Sequence, residues 1–286
     1  CEIDEKDRPA QGGWRVSYAP SSEFTSALLN VLTSGALPSY DASIKQELEV
    51  WHEVARLPTF PVVVTQKTLF TPYGKFAWED LEDEIDPSSP SAEVQPPQAL
   101  VTHARRWTEE FLEEEQGAAS VDLVMDGRVS WQQLNRVVFG VSSMGLYRLS
   151  ILLSETTGAL RVLEASAPVF GSLALEDGTP PLVLGYYPLL QGTKHGWRVS
   201  QGKAILKKPD TCDEEMSFCT DDVEAFYERF EALAASMRAK KPENPSFATL
   251  ATTKDVTLSE ALVFWQHAGA ALGLPPKRVF ISYIKR

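Results

Sequence analysis

Residues 120–133, SVDLVMDGRVSWQQ, decide how this chain folds. The first six residues are rich in branched apolar side chains and predict a strand, and the DGR that follows at 126–128 predicts a turn. Ser130 and Gln133 have the spacing of a capping box, which predicts that a helix begins here. Its buried stripe is expected to contain Trp131, Leu134, Val138 and Val141.

The same pattern returns about 127 residues later, where residues 247–260 read FATLATTKDVTLSE with Thr257 and Glu260 as a second capping box. Both copies then continue through a glycine into a strand, at 144–152 and at 272–284. Upstream, Pro61, Lys67 and the pair Gly74 and Lys75 recur as Pro188, Lys194 and the pair Gly202 and Lys203. We therefore predict one module written twice, and a chance recurrence of two common β-α-β segments is the alternative.

The predicted fold class is α+β, with two tandem β-β-α-β-α-β modules at 59–165 and 166–286. In the first, a strand at 61–65 and a stretch around Phe70 lead through a turn, in which Gly74 is expected to supply an unusual backbone angle. An acidic, proline-rich loop is predicted over 79–97. It precedes an amphipathic helix whose inner face is expected to hold Leu100, His103, Trp107 and Phe111.

Residues 14–58 are predicted to be a helical N-terminal addition. One helix is expected to start at Ser21 or Ser22, as N-cap, and to stop at Gly35. A second helix is predicted over 44–57, ended by Pro58. Residues 1–13 read as a polar tether.

Composition excludes several classes of protein. With 43% hydrophobic residues among 286, the chain is an ordinary globular protein, and no apolar run approaches the ~18 residues that a membrane-spanning helix needs. The net charge of −12 argues against a nucleic-acid groove and against direct attraction to anionic lipid.

The cysteines suggest a compartment. Cys212 and Cys219 share the short polar segment 211–219, which a disulfide can close, and this would place the protein in an oxidising compartment. Reduced loop thiols are the alternative, and metal binding is less favoured because no further ligand lies at suitable spacing. Cys1, followed by the polar tether, resembles the lipid-bearing first residue of a mature bacterial lipoprotein, with a chance cysteine as the alternative.

Together, the hairpin, helix, strand with its aspartate-containing turn, capped helix and closing strand resemble the periplasmic domain of the ExbD/TolR family of biopolymer-transport proteins. The best-matching residues are 120–153 and 247–284. The resemblance implies a periplasmic binding and scaffolding fold that dimerises and, in the TolR branch, engages peptidoglycan. Family members carry a transmembrane helix with a proton-relay aspartate; this sequence shows no such helix, so no relay residue is transferred.

Catalytic motifs are missing from the sequence. The four histidines, at 52, 103, 195 and 267, show no metal spacing; those at 103 and 267 are expected to pack within helices and His195 to lie in a turn. The carboxylate clusters at 79–86 and 213–222 are interpreted as solvated loops, and the turns at Asp126 and Asp255 as structural. Four aromatic residues near the hairpins are candidates for a partner-binding edge: Tyr73, Tyr186, Tyr187 and Trp197.

The sequence thus predicts a non-enzymatic cell-envelope lipoprotein that acts as a protein-binding scaffold or as an accessory component of a transport or motility complex. No catalytic residue, metal ligand or cofactor is expected. The expected partner is an envelope protein complex, and peptidoglycan and a second copy of the chain are further candidates. Contact with the membrane is expected through the Cys1 lipid only. No nucleic-acid partner is expected. The expected location is the periplasm, anchored to the outer or inner membrane. A peptidoglycan-binding spacer and a periplasmic enzyme of unrecognised type are the alternatives.

Overall fold

The computed structural model describes residues 21–40, 49–50, 59–82, 95–111, 119–155, 158–167, 182–188, 195–201, 217–220, 248–272 and 279–283, and part of a helix within 225–239. These residues form a mixed α+β fold, as predicted. The chain divides into two compact units. Unit 1 takes the described residues within 1–40, 48–129 and 136–167, and unit 2 those within 130–135 and 168–286.

Unit 1 contains a mixed sheet with the strand order β5-β4-β3-β6-β7-β8. Strands β3, β6 and β7 run parallel to one another, whereas β4 is antiparallel to β3 and to β5, and β8 is antiparallel to β7. Two short strands, β1 and β2, pair with β7 and β8. The bounds are β1 Ser39–Tyr40, β2 Glu49–Val50, β3 Thr59–Val64, β4 Thr68–Thr71, β5 Gly74–Ala77, β6 Ser120–Met125, β7 Arg148–Glu155 and β8 Leu160–Ser166.

Every residue of β6 is buried, because the strand lies between two parallel neighbours and both faces of the sheet are covered. On one face, Phe24 and Val31 of helix α1 (Ser22–Thr33) pack with Val63 and Val124 in one hydrophobic cluster. On the other, Phe60 meets Trp107 of helix α3 (Gln98–Phe111) with ring centroids 5.7 Å apart. Between these two helices in sequence lies the short helix α2 (Trp78–Glu82).

Unit 2 contains a sheet with the order β11-β10-β9-β12-β13. Strands β9, β10 and β11 form an antiparallel meander, and β12 lies parallel between β9 and β13. The bounds are β9 Leu182–Pro188, β10 His195–Gln201, β11 Ser217–Thr220, β12 Ala248–Thr252 and β13 Val279–Tyr283.

The two sheets share one pattern of pairing. In each, a three-stranded meander comes first, its first strand pairs in parallel with the strand that follows a helix, and that strand pairs in parallel with the next. Three strands therefore precede the helix, where two were predicted. In unit 1, β8 adds an antiparallel strand that the sequence analysis did not identify.

Helix boundaries follow the predicted local signals. The Phe24 amide donates to Ser21 Oγ at 3.1 Å, so Ser21 is the N-cap of α1, and Gly35 follows the helix with a φ of 71°. Helix α4 (Trp131–Ser142) and helix α5 (Leu258–Leu272) both begin with the predicted capping boxes. The Gln133 amide donates to Ser130 Oγ at 3.2 Å, and the Glu260 amide donates to Thr257 Oγ1 at 3.3 Å.

The predicted buried faces are also present. Trp131, Leu134, Val138 and Val141 of α4 are buried, as the sequence analysis predicted. In α5, at the equivalent place after the second capping box, Leu258, Leu262 and Trp265 are buried as well. Gly145 has a φ of 84° between α4 and β7, which is the helix-to-strand glycine that the sequence predicted.

The predicted second N-terminal helix at 44–57 is wrong at Glu49 and Val50, which pair with Val162 and Arg161 as strand β2. The reason is that a two-residue strand takes its conformation from a distant partner rather than from local periodicity. The predicted loop at 79–97 is likewise wrong at its start, because residues 79–82 belong to α2.

Strand register corrects part of the repeat. Pro61 lies opposite Asp122, and residue 249, at the offset of 127 from 122, lies opposite Val183. Val183 therefore takes the position that the repeat assigned to Pro188. Pro188 itself lies at the end of β9, opposite His195. The offset holds at the capping boxes but not in the first strand of each unit.

Two buried aspartates of unit 1 have pKa values shifted in opposite directions. Burial raises the pKa of Asp122 to about 6, and hydrogen bonds with Thr59 and Ser150 oppose that rise. Asp126, in the turn after β6, accepts hydrogen bonds from the guanidinium of Arg128 at 2.9 and 2.6 Å, which hold its pKa below the usual value. The Arg128 amide also donates to Asp126 Oδ1 at 2.9 Å, so Asp126 closes its own turn, as the sequence predicted.

We expect Asp122→Asn and Asp126→Asn to change the pH dependence of stability in opposite directions. A raised pKa favours the protonated carboxyl in the folded state, so Asp122 stabilises the fold below about pH 4 and loses that contribution as the pH rises towards 6. Asp122→Asn removes this pH-dependent loss. Between about pH 4 and pH 7.5, the free energy of unfolding should therefore change by about 2 kcal/mol more in favour of the folded state in the variant than in the parent. Asp126 has a lowered pKa, so its contribution is present at neutral pH and is lost on acidification.

Urea unfolding of both variants and the parent at about pH 4 and pH 7.5 measures the difference. Equal pH dependence in the parent and Asp122→Asn would show that Asp122 does not titrate with a raised pKa.

Candidate binding edge at the β4–β5 hairpin

The β4–β5 hairpin of unit 1 is closed by a two-residue loop, Pro72 and Tyr73. Proline suits the first loop position because its ring fixes the backbone angle that a turn requires there. Thr71 stabilises the turn, because its Oγ1 accepts a hydrogen bond from the Tyr73 amide at 3.3 Å.

Strand β5 pairs only with β4 among the described strands, so its other edge is open there. The Trp78 amide donates to the Lys67 carbonyl at 3.0 Å, so residues 78 and 67 form a hydrogen-bonded pair. In an antiparallel pair of strands, such pairs alternate with pairs whose backbone groups point outward. Residues 74, 76 and 78 therefore direct their backbone groups towards β4. Lys75 and Ala77 direct theirs away from it, which offers two N–H and two C=O groups to a further strand.

On the α3 side, Tyr73 anchors the loop. Its hydroxyl donates to Glu110 Oε2 at 2.7 Å, and Arg106 Nε donates to Glu110 Oε1 at 2.7 Å. The Arg106 guanidinium lies 4.4 Å from the centre of the Tyr73 ring, a cation–π contact. Burial and the Glu110 carboxylate raise the pKa of Tyr73 above its usual value, and the bonds from Arg106 and Tyr73 lower the pKa of Glu110.

His103 of α3 supports the same hairpin. Its Nδ1 and Thr71 Oγ1 share a hydrogen bond of 2.6 Å, and its ring packs against Tyr73 and Phe76. Burial, and secondly the charge of Arg106, lower the pKa of His103. The sequence correctly predicted that His103 packs within a helix but gave no sign of its partner.

Gly74 corrects a prediction. It is not among the described glycines with positive φ, so it does not supply an unusual backbone angle. Instead, a Cβ at this position would lie 3.3 Å from His103 Cε1, which is tight. The hairpin carries glycine here because the imidazole approaches its backbone closely.

A groove of about 680 Å³ lies on the opposite side of the hairpin. Its floor is the face of β4 and β5 that carries Phe70, Lys75 and Ala77, and its walls are α1 and the start of α2. Glu23 of α1 and Asp80 of α2 lie at its charged rim.

One ion pair crosses this groove. Lys75 Nζ lies 2.8 Å from Glu23 Oε1, with 54% and 57% of the two side chains exposed. A pair this exposed contributes little stability, because water and salt screen it. Its effect is rather to neutralise Lys75 within the groove.

The other predicted site residues lie elsewhere. Cys1 and Cys212 fall outside the described residues, so the lipid and disulfide predictions remain predictions. Cys219 lies in β11, opposite Gly196, and the predicted loop at 211–219 is therefore a strand from Ser217 onward. His195 begins β10 rather than lying in a turn. In α5, His267 stacks on Tyr227 with ring centroids 3.7 Å apart, as expected of a packed helical histidine.

The predicted aromatic residues are placed in strands and turns. Tyr186 lies opposite Trp197 and Tyr187 opposite Gly196 in the β9–β10 pair of unit 2, while Tyr73 lies in the hairpin loop of unit 1. Asp255 lies in the turn after β12, where the Val256 amide donates to the Thr253 carbonyl at 3.2 Å.

Within the described part of the chain, no three His, Cys, Asp or Glu side chains come together in a group that could hold a metal ion. No helix described there is long and apolar enough to span a bilayer. No protein family, curated protein or solved structure that we compared with this chain matches it.

Arg106 is expected to act on His103 through its charge. Because that charge lowers the pKa of His103, Arg106→Gln should raise it. Arg105→Gln is the matched control, since it removes the same charge from the neighbouring position of α3. NMR titration of the His103 ring in the two variants tests this, and an equal rise in both would contradict the specific contact between Arg106 and the hairpin.

Proposed function

We propose that this chain is a non-enzymatic, protein-binding scaffold of the cell envelope, and that it binds its partner by strand addition at the β5 edge. The observation that carries the proposal is the outward direction of the Lys75 and Ala77 backbone groups. An added strand would use these donors and acceptors for main-chain hydrogen bonds, while the adjoining groove would receive its side chains.

The surroundings of the hairpin support this use. Tyr73 and His103 tie the hairpin to α3, so its edge is held in one conformation before a partner arrives. Preorganisation lowers the ordering cost of association. A long open edge is otherwise an aggregation hazard, and β5 limits that hazard because it is only four residues long and carries a charged residue, Lys75.

We further propose that the chain consists of two tandem modules resembling the ExbD/TolR periplasmic domain, and that it is an accessory component of a transport or motility complex. The recurrence of meander, helix and parallel strand pair in both units supports the repeat. The capping boxes at Ser130 and Thr257 support it from the sequence. Two modules on one chain would present two binding edges and so raise the effective concentration for a bivalent partner.

Crosslinking from the edge tests the binding proposal. With a photo-crosslinking amino acid in place of Lys75, irradiation of cells should give reproducible links to envelope proteins, whereas the same amino acid in place of the exposed Glu109 on α3 should not. Ala77→Pro removes an outward N–H and should abolish the links, while Ala77→Ser keeps the N–H and should retain them. Links that survive Ala77→Pro would exclude strand addition at this edge.

The anchor has a separate test. If Cys1 carries lipid, cells grown with an alkyne fatty acid should label the parent protein, and Cys1→Ser should lose both the label and the membrane association. Cys219→Ser is the matched control and should keep both. A parent protein without label would refute the predicted lipid at Cys1 and leave the binding proposal standing.

A further inference from the structure

Three of the groove's charges set the chemistry of the β5 edge. Lys75 lies 2.8 Å from Glu23, so the two opposite charges offset each other within the groove. Asp80 lies at the rim on α2, a helix with acidic residues in its first turn and no basic residue in its last. An incoming segment therefore meets a net negative charge at the α2 end of the groove.

Within the residues that the structure describes, the nearby cations do not cancel this charge. Arg106 is hydrogen-bonded to Glu110 on the other side of the hairpin. Lys67 contacts the start of α2 through its backbone carbonyl. Its single positive charge is outnumbered by the two negative charges of Glu79 and Asp80, which are exposed. Counted over the described residues, the α2 end thus keeps an excess of negative charge.

Beside the Lys75–Glu23 ion pair, the floor of the groove is apolar at Phe70 and Ala77. Phe70 and Ala77 lie on one face of the hairpin, and Ala27 faces them from α1. In a strand added beside β5, alternate side chains would point to this face, about 7 Å apart. One such side chain would lie over the apolar floor, and the next along towards α2 would lie near Asp80.

From this arrangement we infer that the partner is an extended protein segment that places a β-branched apolar residue over the floor and a lysine or arginine two positions along, next to Asp80. The inference rests on the proposed strand addition and adds its specificity. The cation gains attraction from the acidic end, and an acidic residue in its place would be repelled.

Two fluorescein-labelled peptides test the inference on the full chain at physiological salt: Thr-Val-Thr-Val-Thr-Lys-Thr, in which Lys lies two positions after Val, and the same sequence with Glu for Lys. Fluorescence anisotropy should show that the Lys peptide binds at least about tenfold more tightly than the Glu peptide. Asp80→Lys should reverse this preference. Glu109→Lys makes the same kind of charge change outside the groove and should leave the preference intact.

The edge is tested with the same probes. Lys75→Pro and Lys75→Ala remove the same charge, but only Lys75→Pro removes the outward N–H, so it should bind the Lys peptide at least about tenfold more weakly than Lys75→Ala does. Circular dichroism of each variant reports on folding.

The outcomes distinguish the preference for a basic residue from strand addition itself. Equal binding of both peptides, lost in Lys75→Pro, would overturn the preference for a basic residue and leave strand addition intact. A Lys preference that Glu109→Lys weakens as much as Asp80→Lys would show general attraction to the net charge of −12 and would overturn the inference. Absence of binding for both peptides would overturn it as well, and the crosslinks from Lys75 would then decide the proposed function alone.

Discussion

The parallel pairing of β6 with β3 on one side and β7 on the other is the constraint on which unit 1 depends. Parallel neighbours cannot be joined by a tight turn, so the chain leaves the sheet and returns through a helix each time. The covering helices bury both faces of β6. With β6 on one edge of β3, the meander can extend only from the other, and this leaves β5 as the outermost of the described strands.

The proposed binding edge is thus a consequence of the topology, and the packing around it decides its properties. The contacts that hold it, Tyr73 with Glu110 and Thr71 with His103, are polar and partly exposed. Such contacts add modestly to the free energy of folding. They have a larger effect on geometry, because they fix the loop against α3 and so fix the direction in which the backbone groups of β5 point.

Several elements could be predicted from sequence because their signals are local. The capping boxes at Ser130 and Thr257 join residues three apart, and Gly35 and Gly145 follow helices whose stripes are plain. Prediction failed where a distant partner determines the conformation. Glu49 and Val50 lie within a helical pattern but form a strand because they pair antiparallel with β8. Gly74 looked like a turn glycine, whereas the space around it is narrowed by an imidazole 29 positions along the chain, at residue 103.

By itself, then, the sequence determined the α+β class, the starts and ends of the capped helices, their buried faces and the structural turn at Asp126. Each of these depends on hydrogen bonds and side-chain spacing within a few residues, which any copy of the segment would carry. The tertiary structure decided the register that places Val183 rather than Pro188 in the position of Pro61. It also decided the groove that brings Glu23 to Lys75, and it gives β5 one neighbour, β4, among the described strands. These features join residues far apart in the chain, and only the folded sheet sets the distances between them.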